Sequence, residues 1–440
     1  MKLIKHMVFV DLKNGNKLMI NTLNGKMSEI NNEVHNVLTQ WQILENISPE
    51  NSSEIELFDF LMSDGYIVKN YEEEMGIKNA TLNILRNAYS KIRADCEKMT
   101  FVMTYDCNFD CPYCFEAKAK NKNAVMQPEQ IDAALKLTNN NLEYIGLFGG
   151  EPFLPKTRKS IEYLFSIMPD KIYDIITNGY YLEEFIDLLS TIKIEKIMVT
   201  LDGEESVHNQ RRCLKNGQPT YKKILNGIEK CLKIGITMHI RMNTDKENVA
   251  ASFKLQKYLF ETFADYKENL QVQIAPLMQI LDEEKNEIIK EIHREDMAHS
   301  KEGNKDLNKI LLTSNPIINS VALDKPMLPL YAFCAAGKNE LVVDPYGKIF
   351  SCLVAVGNDK LAIGQYEPTI EFKENSMYDR NIDSIPKCRE CVYSLICGGG
   401  CAMRLADKED MLKPACSSTL TQIHDLLPRI YEAMQKGGEK

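Results

Sequence analysis

The alternation of apolar and polar positions changes character near residue 100. Before that point, "HMVFVDLKNGNKLMINTL" holds two strand-like runs around a turn rich in Asn and Gly, which predicts a hairpin. "SEINNEVHNVLTQWQ" carries apolar residues at helical spacing. "SSEIELFDFLMSDGYIV" predicts a second helix, capped by Ser52 or Ser53, and then a short strand. The acidic "YEEEMGIKN" reads as a linker into a helix through "LNILRNAYSKIRADCEK". Residues 1–72 are therefore expected to form a small unit, and 73–99 a linker helix.

From residue 100 strand and helix signals alternate. Strand-like runs fall at "TFVMTYD", "EYIGLFG", "YDIITNG", "KIMVTLDG", "MHIRMNT" and "LQVQIAPL", with helical stretches such as "QPEQIDAALKLTNNNL" and "TYKKILNGIEKCLKIG" between them. That order predicts an α/β fold with a parallel sheet. Six units are too few for a closed eight-unit barrel, so residues 100–279 are expected to form an open, partial (β/α)6 TIM-like barrel. In such folds ligands gather at the C-terminal ends of the strands. Residues 280–333 read as a charged, mostly helical connection. Residues 334–440 are loop-rich with little apolar periodicity, and are expected to need metal to hold their shape.

Composition narrows the choice of partners. A 440-residue chain with 44% hydrophobic and 26% charged residues has room for two or three domains. A net charge of -9 argues against general binding to nucleic acid or anionic membranes. No apolar run is long enough to span a bilayer, and "MKLIKHMVFVDLKNGNK" is broken by charge too early for a secretory signal. A cytoplasmic location is expected. There, thirteen cysteines point to metal rather than to disulfides. Three of them lie at Cys107, Cys111 and Cys114, and seven between Cys334 and Cys416; Cys96, Cys213 and Cys231 stand apart, the last two reading as inert small hydrophobes.

"TYDCNFDCPYCFE" spaces its thiols as Cys107-x3-Cys111-x2-Cys114 directly after the first barrel strand. Four thiolates usually hold a four-iron cluster, so three leave one iron open to a small molecule. A structural zinc knuckle with a distant fourth ligand is the alternative on spacing alone. With Tyr113 before the last thiol, the motif resembles that of the radical S-adenosylmethionine enzymes. The resemblance implies that the open iron chelates S-adenosylmethionine, and that a single electron cleaves the sulfonium to a 5′-deoxyadenosyl radical.

Other segments resemble the same superfamily one by one. "FGGEP" places Gly149, Gly150 and Glu151 after the second strand, where relatives contact the methionyl amino group. "ITNG" and "VTLDG" place Thr177, Asn178, Thr200 and Asp202 at the third and fourth strand ends, and "HIRMN" places Arg241 and Asn243 at the fifth. "DGEESVHNQRR" resembles a peptide-modifying segment H-D-x-x-R: His208 and Arg212 match, but Asn209 stands where the acid is expected.

The order Cys334-x12-Gly347-x4-Cys352, then Cys388-x2-Cys391-x5-Cys397-x3-Cys401 and Cys416, resembles the SPASM extension of these enzymes. A zinc ribbon would explain only the Cys-x2-Cys piece. The resemblance assigns Cys334, Cys352 and Cys401 to a first auxiliary [4Fe–4S] cluster and Cys388, Cys391, Cys397 and Cys416 to a second. Seven ligands are one short, which leaves an open iron for a substrate thiolate or for closure by a residue such as Cys96. Leu353 stands where sulfatase-maturing relatives carry an aspartate base, which disfavours that activity.

The N-terminal unit resembles the PqqD-like, winged-helix-like leader-recognition domain of peptide maturases, with a structural cap as the alternative. Together these resemblances imply a maturase of a ribosomal precursor peptide, of the thioether-forming (sactipeptide or ranthipeptide) kind. They also imply three [4Fe–4S] clusters, S-adenosylmethionine, and a reductant such as flavodoxin or ferredoxin. Carbon–carbon crosslinking, epimerisation and other side-chain oxidations share the opening step. A small-molecule substrate or a non-catalytic iron–sulfur carrier are further alternatives. No acid–base residue is singled out by the sequence.

Overall fold

The computed structural model describes residues 1–94, 96–118, 123–138, 141–277, 284, 287–289, 291–292, 316–322, 325–334, 339–374, 376–405 and 410–438. The N-terminal strands are β1 (Lys2–Leu3), β2 (Met7–Asp11), β3 (Lys17–Asn21) and β4 (Met27–Ile30). The hairpin of β2 and β3 forms as expected and is extended by β4, an edge strand whose "MSEI" shows no apolar run. Helix α1 (Asn32–Trp41) follows, with Asn31 as its cap: the side chain accepts from the Val34 amide at 2.9 Å. Helix α2 (Ser52–Ser63) is capped by Asn51, not by Ser52 or Ser53. From an extended backbone, the Asn51 side chain reaches the Glu54 amide at 2.9 Å. Strand β5 (Ile67–Val68) then pairs antiparallel with β1.

The acidic stretch is not a linker. Helix α3 runs unbroken from Tyr71 to Ala94 and takes in Glu72, Glu73 and Glu74 as its first turn. Carboxylates there meet the positive end of the helix dipole, and Asn70 accepts from the Glu73 amide at 2.9 Å. Glu74 is fully buried: its Oε1 accepts from the amides of Lys5 and His6 and lies 2.6 Å from His6 Nδ1.

Six parallel strands follow, each paired with the next and with one register shift in the β8–β9 pairing at Tyr173/Asp174: β6 (Lys98–Val102), β7 (Tyr144–Phe148), β8 (Ile172–Thr177), β9 (Lys193–Thr200), β10 (Met238–Thr244) and β11 (Leu270–Pro276). Helices α4 (Pro128–Leu135), α5 (Arg158–Ile167), α6 (Leu182–Leu189), α7 (Glu205–Arg211), α8 (Tyr221–Lys233) and α9 (Val249–Thr262) lie between them in the chain. Along β10 burial strictly alternates, so Met238, Ile240 and Met242 are buried while His239, Arg241 and Asn243 are part-exposed on the other face. Most of the 280–333 connection falls outside the described residues; helix α10 (Pro316–Ala322) is seen within it. Strand β12 (Glu340–Val343) adds parallel to the free edge of β6, and β13 (Lys348–Phe350), β14 (Gly364–Gln365) and β15 (Glu371–Phe372) continue antiparallel. The result is an open, ten-stranded mixed sheet ending at β11 and β15.

The chain divides into two compact units: residues 1–91, 311–334 and 379–440, and residues 92–310 and 335–378. Within the first, the two ends of the chain share one interior. Leu3, Ile4, Leu38 and Tyr66 pack with Ile382, Ile385 and Leu395, while Val10, Leu18 and Ile20 pack with Ile396, Ile423 and Leu427. The cysteine-rich tail thus borrows the apolar partners that its own sequence lacks. Among the described residues no helix is long and apolar enough to cross a membrane.

Candidate functional site

The three-thiol loop leaves the C-terminal end of β6, and its start is pinned by backbone bonds. The Gly150 amide donates to Thr104 O at 2.9 Å and the Glu151 amide to Asp106 O at 2.9 Å, so the loops after β6 and β7 lie against each other. A Cβ on Gly149, whose φ is +131°, would stand 2.2 Å from Thr104 O; one on Gly150 would stand 2.3 Å from Asp106 O. Only glycine permits that approach. Asp106 is held by Lys156 at 2.8 Å and Lys215 at 3.0 Å, and Cys114 N donates to Cys111 O at 3.2 Å.

Cys107, Cys111 and Cys114 are part-exposed, with sulfurs close enough to influence one another electrostatically. Burial pushes the Cys107 thiol up to about 12, with Glu151 adding to the effect, and raises Cys111 as well, against the opposing pull of Arg212. Both are therefore protonated in the bare protein, and binding metal there would release protons. Asn178 Nδ2 donates to Asn108 Oδ1 at 2.7 Å and lies 3.7 Å from Cys107 Sγ, which ties the β8 end to the thiol loop.

Glu151 is fully buried and joins the β7 and β8 ends. Its Oε1 accepts from the Phe153 amide at 2.8 Å and the Thr177 hydroxyl at 2.7 Å, and its Oε2 from the Asn178 amide at 2.7 Å. Burial pushes its carboxyl up to about 7 despite these donors. Tyr113, at the other side of the loop, donates to Asp202 and accepts from Arg212 Nη1 at 2.8 Å. Asp202 also accepts from the Asn243 amide at 3.1 Å and lies 3.5 Å from Arg211 Nε. Arg211 pairs in turn with Asp245 at 2.9 Å and sits over the Tyr113 ring at 5.2 Å. Among the described residues Arg241 donates to neutral groups, Asn243 Oδ1 at 3.1 Å and Gln273 Oε1 at 3.3 Å, and lies beside Thr200 in the β9–β10 register.

Two residues of the "HNQRR" segment take structural places. His208 is fully buried; the Asp202 amide donates to its Nδ1 at 3.3 Å, and its Nε2 lies 3.0 Å from the Thr220 hydroxyl. Since that hydroxyl donates to Arg212 O at 2.7 Å, the Nε2 proton points at Thr220 and the ring is neutral. Burial, with Arg212 beside it, holds His208 well below the usual histidine range. Asn209 needs no charge: its Oδ1 accepts from the amides of Thr220 and Tyr221 at 2.9 and 3.1 Å, at the start of α8. Arg211 went unnoticed in the sequence because Arg212 beside it filled the expected motif position.

Four C-terminal thiols also gather. Cys388, Cys391, Cys397 and Cys416 influence one another electrostatically, and burial pushes Cys388 up to about 11 and Cys397 up to about 12. Cys334 and Cys401 lie in the same unit, whereas Cys352 follows β13 in the other. Cys96 is buried, its thiol donating to Lys98 O at 3.4 Å. Among the described residues no three His, Cys, Asp or Glu side chains converge tightly enough for a single metal ion. A four-iron cluster spreads its thiolates wider than one ion does, and both thiol sets have the all-sulfur chemistry that such clusters take.

Residues 101–250 match the model of the radical SAM superfamily, so the thiol loop and the strand ends above belong to a radical SAM domain. That superfamily implies S-adenosylmethionine and a four-iron cluster. The chain is 26% identical over 175 residues to the sporulation killing factor maturation protein SkfB of Bacillus subtilis, covering 39% of this chain and 41% of SkfB, less than half the length of that relative. It is 22% identical to the radical SAM cyclopropyl synthase TigE of Paramaledivibacter caminithermalis, over 93% of this chain and 92% of TigE. Its fold is similar to that of Streptococcus suis SuiB bound to precursor peptide SuiA, with a TM-score of 0.55 at 14% identity, covering 95% of this chain and 99% of SuiB.

Proposed function

We propose that this chain, which carries a radical SAM domain over residues 101–250, is a maturase that abstracts hydrogen from a ribosomal precursor peptide and installs a cysteine thioether. The observation that carries the reading is the meeting of three thiols, Cys107, Cys111 and Cys114, with the glycine and polar ends of the next strands on one rim. When bound there, the cluster and S-adenosylmethionine supply a carbon-centred radical by one-electron cleavage of the sulfonium.

The chain's own residues hold and shape that site. The three thiols are the metal ligands. Gly149 and Gly150 bring bare backbone up to the cofactor, while Glu151, Thr177 and Asn178 fix the neighbouring strand ends. Tyr113, Asp202, Arg212, Thr200 and Arg241 form the polar wall that orients the nucleoside. Cys388, Cys391, Cys397 and Cys416 would hold one auxiliary cluster, and Cys334, Cys352 and Cys401 would hold the other, which with three protein thiols could also take a substrate thiolate. A cluster bound there would take the proton from such a thiol, and the auxiliary clusters would accept the one electron released when its sulfur bonds to the carbon radical. The β4 edge of the N-terminal sheet is where an extended leader adds as a strand. Electrons enter from a flavodoxin or ferredoxin.

The likeness to the maturation protein SkfB and to SuiB bound to its precursor peptide supports a peptide substrate. The near full-length likeness to TigE favours a second reading, in which the same opening step ends in a carbon–carbon bond. Anaerobic co-expression with the cognate precursor peptide, followed by mass spectrometry, tests both. A loss of two hydrogens per crosslink with cysteines that resist alkylation supports the thioether. The same mass loss with freely alkylated cysteines supports the carbon–carbon product, and an unmodified peptide contradicts peptide maturation.

A further inference from the structure

Two buried cations stand beside the four C-terminal thiols. Arg380 is 6% exposed, and its guanidinium is spent on backbone: Nη1 donates to the carbonyls of Met411 and Lys413, and Nη2 to Gly399 O at 2.6 Å. Its Nε is buried without a hydrogen-bond partner among the described residues. A Cβ built on Gly399 would lie 4.0 Å from Arg380 Nη2 and 4.0 Å from Cys388 Sγ, so cation and thiol border the same small gap.

Lys78 reaches the set from helix α3. It is 2% exposed, and its Nζ donates to Arg389 O at 2.7 Å. That carbonyl lies inside the Cys388–Cys391 turn, which is closed by the Cys391 amide donating to Cys388 O at 3.3 Å. Burial works against both cations; the thiols of Cys388, Cys401, Cys397 and Cys334 would offset it at Arg380 once deprotonated, and Cys391, with Glu74, Glu390 and Asp383 acting more weakly, at Lys78.

A buried cation that bonds only to carbonyl dipoles is costly unless an anion stands near. Neither Arg380 nor Lys78 forms an ion pair with a carboxylate among the described residues. The thiols beside them become anionic once metal strips their protons. We infer that Arg380 and Lys78 are positioning residues that hold the anionic, metal-bound state of the Cys388, Cys391, Cys397 and Cys416 set and raise its reduction potential. Fixed positive charge favours the state that carries one more electron, and local charge is among the terms that set the potential of an iron–sulfur cluster. The inference rests on the reading that these four thiols hold an auxiliary cluster.

The test is a redox titration of the anaerobically reconstituted full chain with dithionite, followed by electron paramagnetic resonance. The signal of this cluster is assigned by its loss in Cys416→Ala. Lys78→Met and Arg380→Gln are each expected to lower the equilibrium constant for one-electron reduction about tenfold, a downward shift of about 59 mV. Arg380→Lys, which keeps the charge, is expected to recover most of that shift. An unchanged midpoint in Lys78→Met and Arg380→Gln at full iron content overturns the inference alone. Should Arg380→Gln fail to retain iron for want of its backbone bonds, Lys78→Met decides the matter by its own midpoint. If Cys416→Ala loses no signal, the auxiliary-cluster reading falls and takes the inference with it.

Discussion

Arg212 Nη1 donates to the Tyr113 hydroxyl at 2.8 Å, joining residues 99 positions apart. Tyr113 lies inside the three-cysteine motif and Arg212 just beyond α7, and the tyrosine hydroxyl donates in turn to Asp202, just past the end of β9. The thiol loop is thereby tied across the rim by a hydrogen-bond chain. Hydrogen bonds to charged groups contribute about 1.5–3 kcal/mol. Tyr113→Phe and Arg212→Met should each destabilise the fold, and the double variant should lose less than the sum by about 1–2 kcal/mol. Urea unfolding of the metal-free chain measures this; strict additivity would show that the two do not act as one network.

Glu151 gives a pH signature. Its folded-state pKa is raised from 4.5 to about 7, so the folded chain binds more protons than the unfolded one between those values. Stability from the neutral carboxyl is full below pH 4.5 and is lost as pH rises through about 7. At about 1.4 kcal/mol per pKa unit the total is about 3 kcal/mol. Glu151→Gln leaves the Asn178 amide facing a donor, a cost that does not depend on pH. The stability gap between wild type and Glu151→Gln should therefore narrow from pH 5 to pH 8. A constant gap would show that the carboxyl ionises normally.

Gly150→Ala forces a Cβ into the carbonyls of Tyr105 and Asp106. Those carbonyls are backbone and cannot swing aside as a side chain would, so the thiol loop must move. Reconstituted Gly150→Ala should bind less iron than wild type by the content of one four-iron cluster, with weakened binding of S-adenosylmethionine. Full iron content and unchanged binding would mean the loop tolerates the shift.

Much of this arrangement could be read from the chain alone, for identifiable reasons. Strand β10 announces itself because each of its residues alternates between the buried face and the open one. The thiol spacing and "FGGEP" are local patterns, and the parallel order of strands brings them to one rim. The start of α3 is masked because an acidic run resembles a linker, although carboxylates also suit a first helical turn. Strand β4 carries too few apolar residues to show a period. The common interior of Leu38 with Ile385, and the reach of Lys78 to Arg389, depend on tertiary assembly between chain ends, which no local periodicity records.

Asn209 tests whether the missing acid of the "HNQRR" segment matters. Its side-chain oxygen accepts two amides at the start of α8, a task that an aspartate performs equally well. Asn209→Asp should change stability by less than about 0.5 kcal/mol. Asn209→Leu, which leaves both amides without that acceptor, should cost about 1–2 kcal/mol. Equal effects of the two in urea unfolding would show that the position does not depend on accepting these amides.

The most direct measurement is the release of 5′-deoxyadenosine by the anaerobically reconstituted chain given S-adenosylmethionine and dithionite. Wild-type protein should produce the nucleoside, and the Cys107→Ala, Cys111→Ala, Cys114→Ala variant should produce none. A fully iron-loaded wild-type chain that releases no nucleoside would contradict the account.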